Sequence, residues 1–132
     1  MKYLLDTNIC IYIINSQSEK LAKKLKTYDI EQFTVSSVSV AELRYGIAKS
    51  QATEKNNLAL DQFLLPLKIV NFDNNAAMSY GKLCAKLETK GKPIGPLDTL
   101  IAAQALAHEL TLITNNTREF SRIDGLKIEN WT

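Results

Sequence analysis

Lys2-Tyr3-Leu4-Leu5-Asp6-Thr7-Asn8 is a short apolar run that stops on a carboxylate. An unbroken apolar stretch of this length predicts a strand covered on both faces, as in a parallel sheet packed between helices. Open α/β sheets bind their ligands in the crevice beyond the carboxyl ends of the strands, which is where Asp6 falls. Asp6 and Asn8 are also good helix caps, so the stretch alone fits a plain strand-to-helix junction equally well. Partners elsewhere in the chain have to decide between the two.

Outward from that strand, the pattern alternates. Ile9 to Ile14 predicts a short buried helix after Asn8, ending at Asn15-Ser16. Residues 16–28 predict an amphipathic helix with Leu21, Ala22 and Leu25 inward and Lys20, Lys23, Lys24 and Lys26 outward. Phe33-Thr34-Val35-Ser36 is β-branched and aromatic, a second strand. Ser39, followed three residues later by Glu42, predicts a capping box opening a helix that turns Leu43, Ile47 and Ala48 inward. A polar bridge from Gln51 to Asn57 leads to a helix that ends near Leu65-Pro66. Residues 68–72 form a third strand, and Asp73 caps a helix carrying Ala76, Ala77, Tyr80, Leu83, Cys84 and Leu87 at helical spacing. The breaker-rich loop Gly91 to Pro96 precedes a helix over 96–108, with Pro96 in its first turn. Thr111 to Thr114 and Lys127 to Glu129 complete the strands. Strands alternating with helices point to one compact α/β domain over residues 1–132, without repeats or linkers.

Composition narrows the function. Of 132 residues, 45% are hydrophobic and 23% charged, the balance of an ordinary globular domain. No apolar run approaches the roughly 20 residues that cross a membrane, and no signal peptide is evident, so a cytoplasmic location is expected. Cys10 and Cys84 lie far apart in apolar helical patterns and read as reduced buried thiols. With only His108 besides, no zinc site of recognisable spacing exists, so any metal must rest on oxygen ligands. A net charge of +2 does not by itself argue for nucleic acid.

Oxygen ligands are present in a suggestive arrangement. Asp6 follows strand one, Glu42 and Asp98 stand in the opening turns of helices, and Asn116 and Glu119 follow strand four. All five belong to segments that a parallel sheet directs to one edge. Carboxylates gathered there repel one another unless a hard cation such as Mg²⁺ or Mn²⁺ holds them. Each also has a structural reading: Glu42 completes the capping box, and Asp98 gains from the field at a helix N-terminus.

Four segments taken together carry a resemblance. Leu5-Asp6-Thr7-Asn8, Ser39-Val40-Ala41-Glu42-Leu43, Asp98-Thr99-Leu100-Ile101-Ala102-Ala103 and Thr114-Asn115-Asn116-Thr117-Arg118-Glu119-Phe120 occur in order and at matching separations. In this the chain resembles the PIN-domain ribonucleases, specifically the VapC toxins of bacterial type II toxin–antitoxin pairs, from Tyr3 to Trp131. The resemblance implies a three-layer fold with a five-stranded parallel sheet of order 3-2-1-4-5. It implies Asp6, Glu42 and Asp98 as catalytic acids, with Asp6 and Asp98 as ligands of Mg²⁺ or Mn²⁺. Many relatives carry a further acid where this chain has Asn116, so Glu119 becomes the candidate for the missing charge. Thr7 and Asn8 are then candidate supports behind the acids, with helix capping the stronger rival role, and Thr114 either positions a water or ligand by its hydroxyl or helps to end strand four.

The resemblance further implies a metal-dependent endoribonuclease acting on structured RNA, the anticodon stem-loop of a tRNA first, and so inhibiting translation. It implies a homodimer and a VapB-type antitoxin, with operator DNA reached only through that antitoxin. Lys82, Lys86 and Lys90, spaced by four, together with Lys92, Arg44, Arg118 and Arg122, are candidate phosphate contacts; a solvated helix face explains the lysines equally well. Arg44 and Arg118 each neighbour a proposed acid and so have pairing with it as a rival role. Two other functions stand against this one. An Asp-nucleophile phosphatase would use Asp6, although haloacid-dehalogenase-like enzymes want an acid at position 8, here Asn8. A catalytically degenerate PIN-like interaction module would tolerate Asn116.

Overall fold

The computed structural model describes residues 1–132. Strand β1 (Tyr3–Leu5) is wholly buried and lies at the centre of a five-stranded sheet. Its companions are β2 (Phe33–Ser36), β3 (Lys68–Val70), β4 (Thr111–Ile113) and β5 (Ile128–Glu129). All neighbours pair in parallel, in the order β3-β2-β1-β4-β5. Tyr3 stands between Phe33 and Thr111, and Leu5 between Val35 and Ile113. The expected order 3-2-1-4-5 is therefore the one observed.

Successive side chains of a strand point to opposite faces, and β1 uses both. Tyr3 and Leu5 enter one core cluster with Ile9, Leu21, Val35 and Leu60. Leu4 enters the other, with Leu83, Ile101, Leu112 and Phe120. The first layer of helices comprises α1 (Thr7–Ile14), α2 (Glu19–Leu25), α3 (Ser37–Ala48) and α4 (Thr53–Leu64). The second comprises α5 (Asn74–Thr89), α6 (Pro96–Ala107) and the single turn α7 (Thr117–Phe120). Trp131 closes the first cluster, stacked on Tyr28 at 5.1 Å between ring centroids and edge-on to Tyr3 at 5.0 Å.

Local expectations hold at several ends. Asp73 caps α5, accepting the Ala76 N–H at 2.9 Å, and Pro96 occupies the first turn of α6. Elsewhere the structure corrects them. Helix α3 begins at Ser37, where Ser36 caps it by accepting the Val38 N–H at 2.9 Å. Ser39 and Glu42 therefore lie inside the helix, no capping box forms, and both side chains are free for other partners. Helix α4 begins at Thr53 and takes up most of the segment read as a polar bridge. Burial of Leu60 and Leu64 in the core outweighs the weak helix propensity of Thr53, Asn56 and Asn57. Helix α2 is shorter than residues 16–28, because Ser16 takes a positive φ of 52° before it. Ala22 and Ala48 are exposed rather than inward, since the apolar stripes of these helices are narrower than expected. The turn α7 had no periodic signal to announce it.

Candidate active site

Asp6 leaves β1 at its carboxyl end and is only 3% exposed. It caps α1, its Oδ1 accepting the Thr7 N–H at 2.8 Å, while Oδ2 accepts the hydroxyl of Thr114 at 2.7 Å. Thr114, just beyond β4, accepts in turn the Asn116 N–H at 2.9 Å. The cap reading of Asp6 is thus observed, and the same side chain stands at the carboxyl edge of the sheet. Burial pushes its carboxyl above the usual range, and the bonds from Thr114 and Thr7 partly offset that. With both oxygens held and little surface exposed, Asp6 is poorly presented for in-line attack, which disfavours the phosphatase alternative.

The other acids arrive from three helices. Glu42, one turn beyond Ser39 on α3, accepts the Thr7 hydroxyl at 2.9 Å, and the Ser39 hydroxyl stands 2.9 Å from the same Thr7 oxygen. Asp98 sits in the first turn of α6. Glu119 lies on α7, where its Oε2 accepts from the Asn116 side-chain amide at 3.1 Å. Asp98 reports the convergence, because its carboxyl is pushed up to about 6. Burial is the largest cause, followed by the charges of Asp6, Glu119 and Glu42 in that order. Asn116 adds no charge, and its side-chain amide holds the carboxylate of Glu119.

Asp98 feels the other three acids across the crevice, but the four do not close on a point. No three Asp, Glu, His or Cys side chains stand close enough to form a ready-made cage. An open oxygen set of this kind suits Mg²⁺, which takes one or two protein carboxylates and keeps several waters. The donor chemistry and the unneutralised charge both fit such an ion.

Other sequence candidates scatter. Asn8 is exposed on α1 and does not cap it. Arg44 does not face the acids: it donates to Asn57 at 2.8 Å and pairs with Asp61 at 2.6 Å, both on α4. This pair lies at the surface, with the Arg44 side chain 40% exposed, and Arg44 does not pair with the acid beside it in sequence. Lys82, Lys86, Lys90 and Arg122 line one groove of about 200 Å³ beside α5. Within it Lys90 pairs with Asp124 at 2.6 Å, and Arg122 donates to the Pro93 carbonyl at 3.2 Å. Lys92 and Arg118 are exposed outside that groove. Cys10 is buried and Cys84 half-buried, both unpaired, and burial raises the Cys10 thiol far out of its reactive range.

One feature escaped the sequence reading. Gln104, fully buried in α6, accepts from the Ser36 hydroxyl and donates to the Val70 carbonyl at 3.1 Å, tying the helix of Asp98 to β2 and β3. A lone Gln within an Ala- and Leu-rich helix was the available signal. A groove of about 720 Å³ lies between α1, α3 and α4, with Thr7 and Glu42 among its lining. Its walls include Ile11, Ile14, Leu43 and Ile47, which had been read as core.

Comparison with known proteins agrees with this geometry. The PIN domain model matches residues 3–126. Ribonuclease VapC2 of Rickettsia felis is 44% identical over 132 residues, covering 99% of this chain and 98% of the relative. The tRNA(fMet)-specific endonuclease VapC of Salmonella typhimurium is 38% identical, with coverage of 99% and 98%. Among solved structures, VapBC2 from Rickettsia felis bound to a promoter DNA fragment superposes with a TM-score of 0.92 at 42% identity, covering both chains fully. DNA-bound VapBC from Salmonella typhimurium gives 0.95 at 38% identity, covering 100% of this chain and 99% of that one. With its sheet order, its acidic edge and these relatives in agreement, the chain belongs to the PIN-domain family, among the VapC ribonucleases.

Proposed function

We propose that this ribonuclease is the toxin of a toxin–antitoxin pair and hydrolyses phosphodiesters of structured RNA in a reaction dependent on Mg²⁺ or Mn²⁺. What supports the metal dependence is the gathering of Asp6, Glu42, Asp98 and Glu119 at one sheet edge, where burial first and then the charges of the other three acids raise the Asp98 carboxyl. When bound, such an ion supplies Lewis-acid stabilisation of phosphoryl oxygens and lowers the pKa of a bound water. Asp6 and Asp98 are the ligands in this reading, and Glu42 either joins them or orients the attacking water. Thr114 and Thr7 hold Asp6 in place, and Asn116 aims Glu119 at the same edge. The groove of Lys82, Lys86, Lys90 and Arg122 grips phosphates, giving affinity without sequence choice. Lys92 and Arg118 are further exposed cations for the same backbone.

The Salmonella relative is a tRNA(fMet)-specific endonuclease, which supports a tRNA here, with the anticodon stem-loop as the first candidate. The solved relatives are VapBC complexes, and the groove between α1, α3 and α4 is the seat we propose for an apolar antitoxin segment. An antitoxin there would reach Glu42 directly. Homodimerisation, contact with operator DNA only through the antitoxin, action in the cytoplasm and residues 1–132 working as one PIN domain complete the proposal.

The test is cleavage of total bacterial RNA with Mg²⁺ or Mn²⁺ by the intact chain, Asp6→Asn and Asp98→Asn. Discrete new ends that vanish with EDTA and with either substitution are expected. Cleavage by both variants at the rate of the intact chain would remove the acidic edge from the mechanism. No cleavage by the intact chain would favour the interaction module, for which Asn116 is the one observation in hand.

A further inference from the structure

Ser39 enters the sequence as a capping residue, yet it caps nothing and is completely buried. A buried hydroxyl needs a partner, and the one it has is Thr7, at 2.9 Å. The same Thr7 oxygen lies 2.9 Å from Oε1 of Glu42. A hydroxyl carries one proton, and a carboxylate only accepts. The proton of Thr7 therefore goes to Glu42, and the Ser39 hydroxyl completes the chain by donating to Thr7. Meanwhile the backbone N–H of Thr7 binds Asp6.

From this geometry we infer that Ser39 is a positioning residue for Glu42, acting through Thr7 in a relay Ser39–Thr7–Glu42. The relay rests on the proposed nuclease reading. Glu42 ends a flexible side chain and is only partly buried. Without a fixed donor its carboxylate would sample rotamers that turn it into the groove between α1, α3 and α4. Ser39 lies one turn before Glu42 on the same face of α3, so helix geometry holds donor and acceptor in register. The hydroxyl of Thr7 spans the gap from the first residue of α1, which Asp6 caps. Groups that hold the side chains around a metal typically change affinity or activity by about 10- to 100-fold when removed.

The experiment is a double-mutant cycle on the full chain with Ser39→Ala, Thr7→Val and both together, plus Ser39→Thr as the conservative variant. Circular dichroism and thermal melting verify that each variant is folded. Turnover of RNA with Mg²⁺ and calorimetric binding of Mn²⁺ without RNA are the two readouts. Expected is a loss of about tenfold for Ser39→Ala in kcat, in Mn²⁺ affinity or in both, with KM for RNA within about twofold. Ser39→Thr restores the lost quantity, and adding Ser39→Ala to Thr7→Val costs less than about a further twofold. The relay is overturned if Ser39→Ala matches the parent in both readouts. It is equally overturned if the double variant loses the product of the two single losses. Asp98→Asn runs alongside: an Asp98→Asn as active as the parent refutes the acidic-edge mechanism on which the relay rests, whereas an inactive one with a silent Ser39→Ala refutes only the relay.

Discussion

Replacing Asp98 by Asn in the metal-free protein should stabilise the fold while removing the site. The carboxyl of Asp98 is raised from 3.8 to about 6, first by burial and then by Asp6, Glu119 and Glu42. A shift of about two units corresponds to a little under 3 kcal/mol against the ionised form, at about 1.4 kcal/mol per unit. Asp98 is only half-buried, so solvent screening reduces that to about 1–1.5 kcal/mol. Against this, an acid in the first turn of α6 gains about 0.5 kcal/mol from the helix N-terminus, which Asn forfeits. A net gain of about 0.5–1 kcal/mol remains, or roughly 2–4 °C in a domain of this size.

The pH dependence has a definite sign. Because the folded pKa is raised, the protonated form is favoured in the fold, and that contribution is complete below about pH 4 and lost as pH rises through about 6. Thermal melts in EDTA should therefore show Asp98→Asn above the parent at pH 7.5 and close to it at pH 4. Saturating Mg²⁺ should reverse the order at pH 7.5, since an ion at about 100 times its Kd adds about 2.7 kcal/mol to the parent alone. An Asn variant less stable than the parent at pH 7.5 in EDTA, or displaced equally at both pH values, would refute the account of Asp98 as one of several mutually repelling acids.

Thr114→Val removes a hydroxyl that donates to Asp6 and accepts from the Asn116 backbone, and should destabilise by about 2–4 kcal/mol in urea melts. Asn116→Asp adds a charge beside Glu119, so it should lower the melting temperature in EDTA and tighten Mn²⁺ binding several-fold by calorimetry. An unchanged Mn²⁺ affinity would mean that Glu119 is turned away from the ion. Trp131→Ala opens the ring cluster of Tyr3, Tyr28 and Phe33 and should cost about 3–5 kcal/mol by denaturant unfolding.

Strand positions were legible in the sequence because each depends on short-range pattern. Tyr3 to Leu5 is apolar throughout because both faces of β1 are covered, and a strand end in a parallel sheet has one direction to send Asp6. Asp73 and Pro96 act within one helical turn, so their roles showed too. The order β3-β2-β1-β4-β5 came from four motif segments resembling a known family rather than from periodicity. What tertiary structure alone decided involves partners far apart in the chain. Ser39 looks like a cap until Thr7, 32 residues away, turns out to face it. Arg44 sits two residues from Glu42 yet turns to Asp61, because neighbours in sequence on a helix point to different faces. Ile11, Ile14, Leu43 and Ile47 satisfy the pattern of a core, but three helices meet there without filling the space between them, and the apolar stripe becomes a groove. Hydrophobic periodicity shows which face turns inward; only the packed helices decide whether that face is covered.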